Sequence, residues 1–456
     1  MKLIYGIKDR PKFGQVIVFA IQQLLAIMAA TLVVPVIINS SGSMPAGAPA
    51  MSSAAALLGA GIGTLVYLLF TRFKSPVFLG SSFAFIGSMC AAFAGAVSAQ
   101  AGYLGLIIGA VFAGLVYVVI AIIVKFVGVK WISKLMPAVV IGPTVAIIGL
   151  SLAGNAIGDL QTAPAGGSSY VAILCGLVTL AVTMLCATFG KKMIRLIPFI
   201  MGILAGYAVA TIFTIIGNVA GIDALKVINF APLTNLFTNF GISSIVSLPD
   251  FTFVEALKGI KDIDGAYIGT IFAAYAPVAF VVFAEHIADH KNLSTIIEHD
   301  LLEEPGLHNT LLGDGIGSMA GAFFGGCPNT TYGESVGCVA ITGNASVVTI
   351  FTTAILAIVI SFLSPFVAFV NTIPSCVMGG VCIALYGFIA VSGLKMIQKV
   401  DLEKNRNLFV VSVILISGIG GLSVTFGKVT LTTIACALIL GILANLMLGI
   451  KDGKEE

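Results

Sequence analysis

Pro328-Asn329-Thr330-Thr331-Tyr332-Gly333-Glu334-Ser335-Val336-Gly337 places one carboxylate and four hydroxyls inside a chain that is otherwise hydrocarbon. The segments on either side are apolar and long enough to cross a bilayer. A carboxylate at membrane depth costs about 2.5–3.5 kcal/mol on insertion scales, and such groups face a cavity or a partner. Glu334 is therefore a functional-site residue by default. A second acidic pair, Glu285 and Asp289, ends another apolar run. Three acids at membrane depth and almost no buried base describe a small polar site that handles a proton or a cation.

Composition sets the class. Of 456 residues, 58% are hydrophobic and 9% charged, against about 25% charged in a soluble domain. No soluble fold of this size hides so much apolar surface, so the chain reads as a polytopic membrane protein embedded in a lipid bilayer. Its 52 glycines suit helices that pack closely or break. The net charge of +3 is spread over loops and points to no nucleic-acid partner. The eight cysteines lie in apolar or small-residue segments with no C-x-x-C pair, which reads as small buried hydrophobes and not as disulfides or metal ligands. The apolar run from Val16 to Ile38 is too long for a signal-peptide core and reads as the first membrane helix. No soluble domain is expected. There is no G-x-x-x-x-G-K-[ST], hydrolase elbow or H-E-x-x-H, so neither an ATP-driven pump nor an enzyme is indicated. Gly59-x-Gly61-x-Gly63 reads as packing glycine.

About 20 mostly apolar residues make one span. The windows fall near 13–38, 50–71, 76–97, 103–124, 135–157, 168–189, 196–220, 267–289, 311–326, 329–345, 347–370, 374–394, 407–424 and 430–449. Four of the 23 basic residues, Lys226, Lys258, Lys261 and Lys428, fall on the side opposite the N-terminus; all others fall on the N-terminal side. Lys and Arg concentrate in cytoplasmic loops, so both termini are expected in the cytoplasm. Fourteen segments divide into seven plus seven at the long loop 221–266, and an odd number per half inverts the second half. The third segment opens Pro76-Val77-Phe78-Leu79-Gly80-Ser81-Ser82-Phe83, and its counterpart, the tenth, opens on the quoted stretch. Interrupted segments at matching places point to a midplane site. Residues 80–85 and 330–335 read as extended, offering backbone N–H and C=O groups to a flat polar ligand.

Glu285 and Asp289 stand one helical turn apart on one face. Two close carboxylates cannot both ionise cheaply, which makes a proton-sharing pair; the plainer reading leaves Asp289 solvated at the interface beside His290. His286 points away from Glu285 and reads as packing. His290, His299 and His308 read as solvated members of a cytoplasmic loop, without metal-ligand spacing. Gln22 and Gln23, mid-way along the first helix, are helix-to-helix glue or a site contact. Phe83 is either a stacking face for a planar ligand or core.

These residues carry a resemblance over the whole chain. Asp9-Arg10-Pro11, LGSSFAF at 79–85, AEH at 284–286, EPGLH at 304–308, FFG at 323–325, PNTTYGE at 328–334 and the run to AIT at 340–342 are similar to the nucleobase–ascorbate transporter family. The resemblance implies an all-α fold of 14 transmembrane segments in two inverted seven-segment repeats, with short antiparallel strands in the third and tenth. It implies a core domain (residues 1–130 and 267–370) that holds substrate and a gate domain (131–266 and 371–456) that supports a homodimer. In the family motif, Ser335 stands where Asn is usual and Gly343 where Arg or Lys is usual. Asp289 and Gln23 stand where uracil-carrying members have His.

By resemblance the substrate site is Phe83, Glu285, Gly333 and Glu334, with Glu285 and Asp289 coupling a proton and Gln23, Tyr332 and Ser335 in support. Carboxylates accept the two N–H groups of uracil while backbone N–H at Phe83 and Gly333 reaches its carbonyls. Purine carriers often have Gln at the position of Glu334, so this chain leans towards a pyrimidine. The implied function is proton-coupled import of uracil across the plasma (inner) membrane by alternating access, with no metal and no cofactor beyond the proton. A xanthine or uric-acid carrier is the rival within the class; a channel or passive anion pathway is the rival outside it.

Overall fold

The computed structural model describes residues 3–128, 137–164, 166–191, 193–238, 240–426 and 429–449. Lys2, Lys130, Lys134, Lys192, Lys428, Lys451 and Lys454 of the charge pattern, and the 130/131 domain boundary, lie outside the described residues.

Long apolar runs without a breaker become helices because only an internally bonded backbone is stable in hydrocarbon. In chain order these are α1 (Phe13–Ser40), α2 (Ser53–Phe70), strand β1 (Leu79–Ser81), α3 (Ile86–Ala94), α4 (Ala99–Val127), α5 (Ala138–Ser151), α6 (Ala153–Gln161), α7 (Ser169–Phe189) and α8 (Pro198–Ala220). They continue with α9 (Gly265–Ile297), α10 (Leu307–Gly325), strand β2 (Asn329–Thr331), α11 (Gly333–Thr342), α12 (Val347–Ser361), α13 (Ser364–Thr372), α14 (Ser375–Ile397) and α15 (Asn405–Ile419). A hairpin, β3 (Val424–Phe426) with β4 (Val429–Leu431), leads into α16 (Thr433–Gly449). Among the described residues, eight helices are long and apolar enough to cross a membrane, counting α5 and α6 together; α12, α15, α16 and Phe83–Ala94 are shorter apolar helices. The chain is thus an all-helical, multi-pass membrane protein with two short strand pairs.

Several windows shift. The 267–289 window is part of a 33-residue helix, so Asp289 lies two turns inside α9 and not at its end. The 347–370 window breaks after Ser361, and 407–424 stops at Ile419. The extended stretches are shorter than 80–85 and 330–335. Phe83–Phe85 is already a 3-10 turn leading into α3, and Gly333 begins α11. Pairing satisfies the backbone only over three residues on each side; beyond that each chain must satisfy itself by coiling.

Two groups of helices pack mainly within themselves: α1, α2, α4 and α9 to α12 in one, α5 to α8 with α14 to α16 in the other. Small residues let the backbones meet. A Cβ on Gly317 of α10 would stand 2.7 Å from Gly63 O of α2 and 2.8 Å from Leu79 Cδ1. In the second group, a Cβ on Gly393 of α14 would stand 2.7 Å from Ala146 Cα of α5. All eight cysteines are free thiols.

The N-terminal segment straps the end of α11. Gly343 closes that helix with φ +66°, a conformation that favours glycine. Its carbonyl accepts from Ile4 N at 2.7 Å and Tyr5 N at 3.2 Å, and Ala345 N donates to Tyr5 O at 2.9 Å. On the same side, Lys74 Nζ lies 2.7 Å from Glu304 Oε1, and this hydrogen bond holds the Glu304 carboxyl below the usual carboxylate range.

Replacing Gly317 with Val is expected to cost about 1–3 kcal/mol through overpacking. It should appear as a lower unfolding temperature of the purified protein, with the conservative Gly317→Ala change falling between the two.

Candidate functional site

β1 and β2 pair inside the helix packing and are buried throughout, where every polar backbone group needs a partner. Leu79 pairs with Thr331, Gly80 with Thr330 and Ser81 with Asn329, antiparallel. Ser82 N donates to Pro328 O at 2.9 Å and extends the ladder. Side chains finish the accounting. Thr64 Oγ1 accepts from Leu79 N at 2.9 Å, Ser335 Oγ accepts from Phe78 N at 3.1 Å, and Tyr332 Oη donates to Ser81 O at 2.7 Å. Asn329 Nδ2 donates to Gly59 O at 3.0 Å, seating β2 on α2. Of the polar side chains that stood out in the sequence, Asn329, Tyr332 and Ser335 therefore serve the backbone, while Thr331 bonds Asp289.

Immediately after the crossing, the chain coils from Phe83 on one side and Gly333 on the other. Both starts line a cavity of about 450 Å³. The first N–H groups of a helix have no intrahelical partner and carry the positive end of its dipole. Beside them on the cavity wall is α9, which contributes Glu285, Ala288 and Asp289. Asp289 Oδ2 accepts from Thr331 Oγ1 at 2.8 Å, tying α9 to β2. A Cβ on Gly333 would stand 3.8 Å from Asp289 Oδ1, so Asp289 and the start of α11 are neighbours. The second helix group closes the cavity with apolar side chains, among them Ile141, Val145, Phe199, Phe388 and Met396. Phe83 stands edge-on to Tyr386, centroids 6.4 Å apart at 77°.

Three carboxylates, Glu285, Asp289 and Glu334, line this space, and none of its described lining residues is basic. Like charges in one partly dehydrated site cannot all be held cheaply. The arrangement suits a neutral, planar ligand that donates N–H bonds to carboxylates, accepts from helix-start N–H groups and lies against aromatic and aliphatic walls.

Phe83, Glu285, Asp289, Tyr332, Gly333 and Glu334 are brought together at the cavity. Gln23 and Ser335 are not among its lining residues. Gln23 Nε2 donates to Ser335 Oγ, and both side chains are buried. The two hold α1, α11 and the approach to β1 together, the helix-glue reading of Gln23. His290 corrects the sequence reading. It is wholly buried, with Nδ1 2.8 Å from His286 O and Nε2 2.7 Å from Tyr67 Oη, because α9 continues past the expected membrane edge. Asp159 on α6, where Ser40 Oγ donates to it at 3.3 Å, is a buried acid that was missed, and so is Asp314 on α10. Its signal was available: a lone acid in Leu311-Leu312-Gly313-Asp314-Gly315 meets the same rule that picked out Glu334. The apolar wall from the second group carried no local signal.

Residues 14–427 match the model of the Permease family. The chain belongs to this family, which upholds the resemblance to the nucleobase–ascorbate transporters. It is 37% identical over 450 residues to a uracil permease of Bacillus caldolyticus, covering 98% of this chain and 95% of that protein. A uracil permease of Bacillus subtilis (strain 168) is 36% identical, covering 100% of this chain and 97% of that protein. These relatives are permeases, so the chain is a transporter and not an enzyme. The transmembrane domain of a cyanobacterium bicarbonate transporter, BicA, superposes with a TM-score of 0.60 at 15% identity, covering 97% of this chain and all of that domain. At that identity the likeness is one of fold.

Ser335→Ala would leave the buried Gln23 amide and Phe78 N–H without their acceptor. The expected cost is about 1–3 kcal/mol of stability, read as a lower unfolding temperature. Thr331→Val removes a hydroxyl donor from Asp289 and is expected to weaken ligand affinity by about tenfold or more while leaving the unfolding temperature close to the parent's, checked by titration calorimetry.

Proposed function

We propose that this protein is a proton-coupled symporter that imports uracil across the plasma membrane. The observation that carries the reading is the convergence of Glu285, Asp289 and Glu334 with two helix starts on one cavity that has no base among its described lining residues. Uracil matches this donor and acceptor set. Its two N–H groups pair with Glu285 and Glu334, and its carbonyls take N–H groups at Phe83 and Gly333. Glu285 and Asp289, one turn apart, share the coupling proton. Tyr332, Gln23 and Ser335 hold the crossing strands in place. The relatives named uracil permeases support the substrate. The shared fold with a bicarbonate transporter raises an anion pathway, but three carboxylates facing the cavity argue against an anionic substrate.

In this reading the chain makes fourteen segments in two inverted repeats, with both termini in the cytoplasm. Residues 1–130 and 267–370 form the substrate-bearing core, and 131–266 with 371–456 form a gate that also makes a homodimer. The separate packing of the two helix groups supports such a division. The cavity at their junction supports transport by movement of one group against the other.

The test is uptake of radiolabelled uracil into proteoliposomes with and without an inward proton gradient. Gradient-driven accumulation abolished by a protonophore is the expected result; equilibration without accumulation would mean a passive pathway, and uptake of radiolabelled xanthine with no uptake of uracil would move the substrate to a purine. Glu334→Gln is expected to abolish uptake at normal protein levels, and transport retained by that variant would remove Glu334 from the site.

A further inference from the structure

Ala284-Glu285-His286-Ile287-Ala288-Asp289-His290 carries two stripes on one helix. Glu285 and Asp289 face the cavity. His286 and His290, each one position further, stand about 100° round the axis and are wholly buried. Their rings stack, with centroids 4.0 Å apart. This second stripe is a seam with α10 and α2 that substrate recognition does not use.

Hydrogen-bond geometry assigns the hydrogens in that seam. His286 Nε2 lies 3.0 Å from Thr310 Oγ1, and Thr310 Oγ1 lies 3.0 Å from Leu307 O. A carbonyl only accepts, so the hydroxyl hydrogen points to Leu307 and Thr310 accepts Nε2–H. His286 Nδ1 then faces Asp314 Oδ2 at 2.7 Å, a separation at which a hydrogen lies between the atoms. A carboxylic acid donating to Nδ1, or an imidazolium donating to a carboxylate, places it there. Both leave the pair with one shared proton and no net charge. The opposite polarity, with Thr310 donating to Nε2 and a neutral His286 donating to Asp314, would bury an uncompensated carboxylate. Both side chains are 0% exposed, and Asp314 Oδ1 has no hydrogen-bond partner among the described residues. Burial of a lone charge in that setting is strongly disfavoured.

We infer that His286 and Asp314 are a positioning pair. They share one proton and fasten α9 to α10 at the residue next to Glu285, setting the rotation that turns Glu285 and Asp289 into the cavity. His290 is the second fastening: its Nε2 lies 2.7 Å from Tyr67 Oη of α2, which lies 2.7 Å from Ser75 Oγ. The titratable groups around the pair are Tyr67 on α2, Tyr117 on α4, and Glu285, Asp289 and His290 on α9 itself. Because the pair is already neutral, proton uptake during transport falls to the cavity carboxylates. The inference rests on the reading of the cavity as the substrate site.

The test joins a spectrum to a binding series on the full chain in lipid nanodiscs. Histidine-¹⁵N NMR of the parent, with His286 assigned by loss of its signal in His286→Asn, is expected to show Nε2 protonated and unchanged from about pH 6 to about pH 8. A neutral Nδ1–H form would make Asp314 an anion and overturn the pair's neutrality. Asp314→Ala is expected to weaken uracil binding by about tenfold or more. Asp314→Asn, whose amide N–H can still donate to Nδ1, is expected to restore affinity to within about threefold of the parent. Unchanged binding in a folded Asp314→Ala variant, or Asp314→Asn no better than a folded Asp314→Ala, would overturn the positioning role. Should Asp314→Ala not fold, Asp314→Asn and the parent spectrum decide it. A parent protein that binds no uracil would sink the substrate reading, while the spectrum still decides the protonation of the pair.

Discussion

A polypeptide at the middle of a bilayer has no water to satisfy its backbone, and the site is built around that constraint. Two segments stop being helical at membrane depth, and each survives because the other is there. β1 and β2 exchange backbone bonds over three residues. Thr64, Ser335, Tyr332 and Asn329 bond the groups that this pairing leaves or seat the strands on their neighbours. The reward for so short a strand pair is two helix starts, at Phe83 and Gly333, that open on the same cavity. Irregular backbone in hydrocarbon is tolerated only where it is buried in protein or lines a cavity. Here it does both.

The rest of the first helix group serves to hold that crossing still. Glycine contacts between α2 and α10 bring the backbones close enough for Asn329 to reach Gly59. Gln23 and Ser335 bind α1 to the foot of β1, and the N-terminal strap bonds the far end of α11. Opposite, α9 divides its polar residues by angle. Its acids go to the cavity, and its histidines go to the seam with α10 and α2. One helix thereby presents charge-bearing groups to the cavity while its other polar face fastens it to its neighbours.

Much of the site was legible as isolated residues. Acids in apolar runs have few explanations, so Glu285, Asp289 and Glu334 stood out, and each lines the cavity. The same rule applied to Asp314 would have found it. Misreadings came where one residue type serves two environments. His290 resembled a loop residue because the stretch from Lys291 to Glu304 holds many charges, but α9 carries it inside, where Tyr67 satisfies it. Gln23 read as helix glue or as a site contact, since an amide in hydrocarbon needs only some partner.

The sequence by itself determined the membrane class, the long apolar helices, the two interrupted segments and the cavity acids, because hydrophobicity and buried charge are local properties of the chain. Only the tertiary structure decided which polar groups meet: that Thr331 reaches Asp289, that Ser335 serves the backbone of Phe78, and that His286 shares its contact with Asp314. It also decided that the wall opposite the acids comes from α5, α8 and α14. Those pairings join residues up to 257 positions apart, and an apolar side chain facing a ligand looks no different in sequence from one facing lipid.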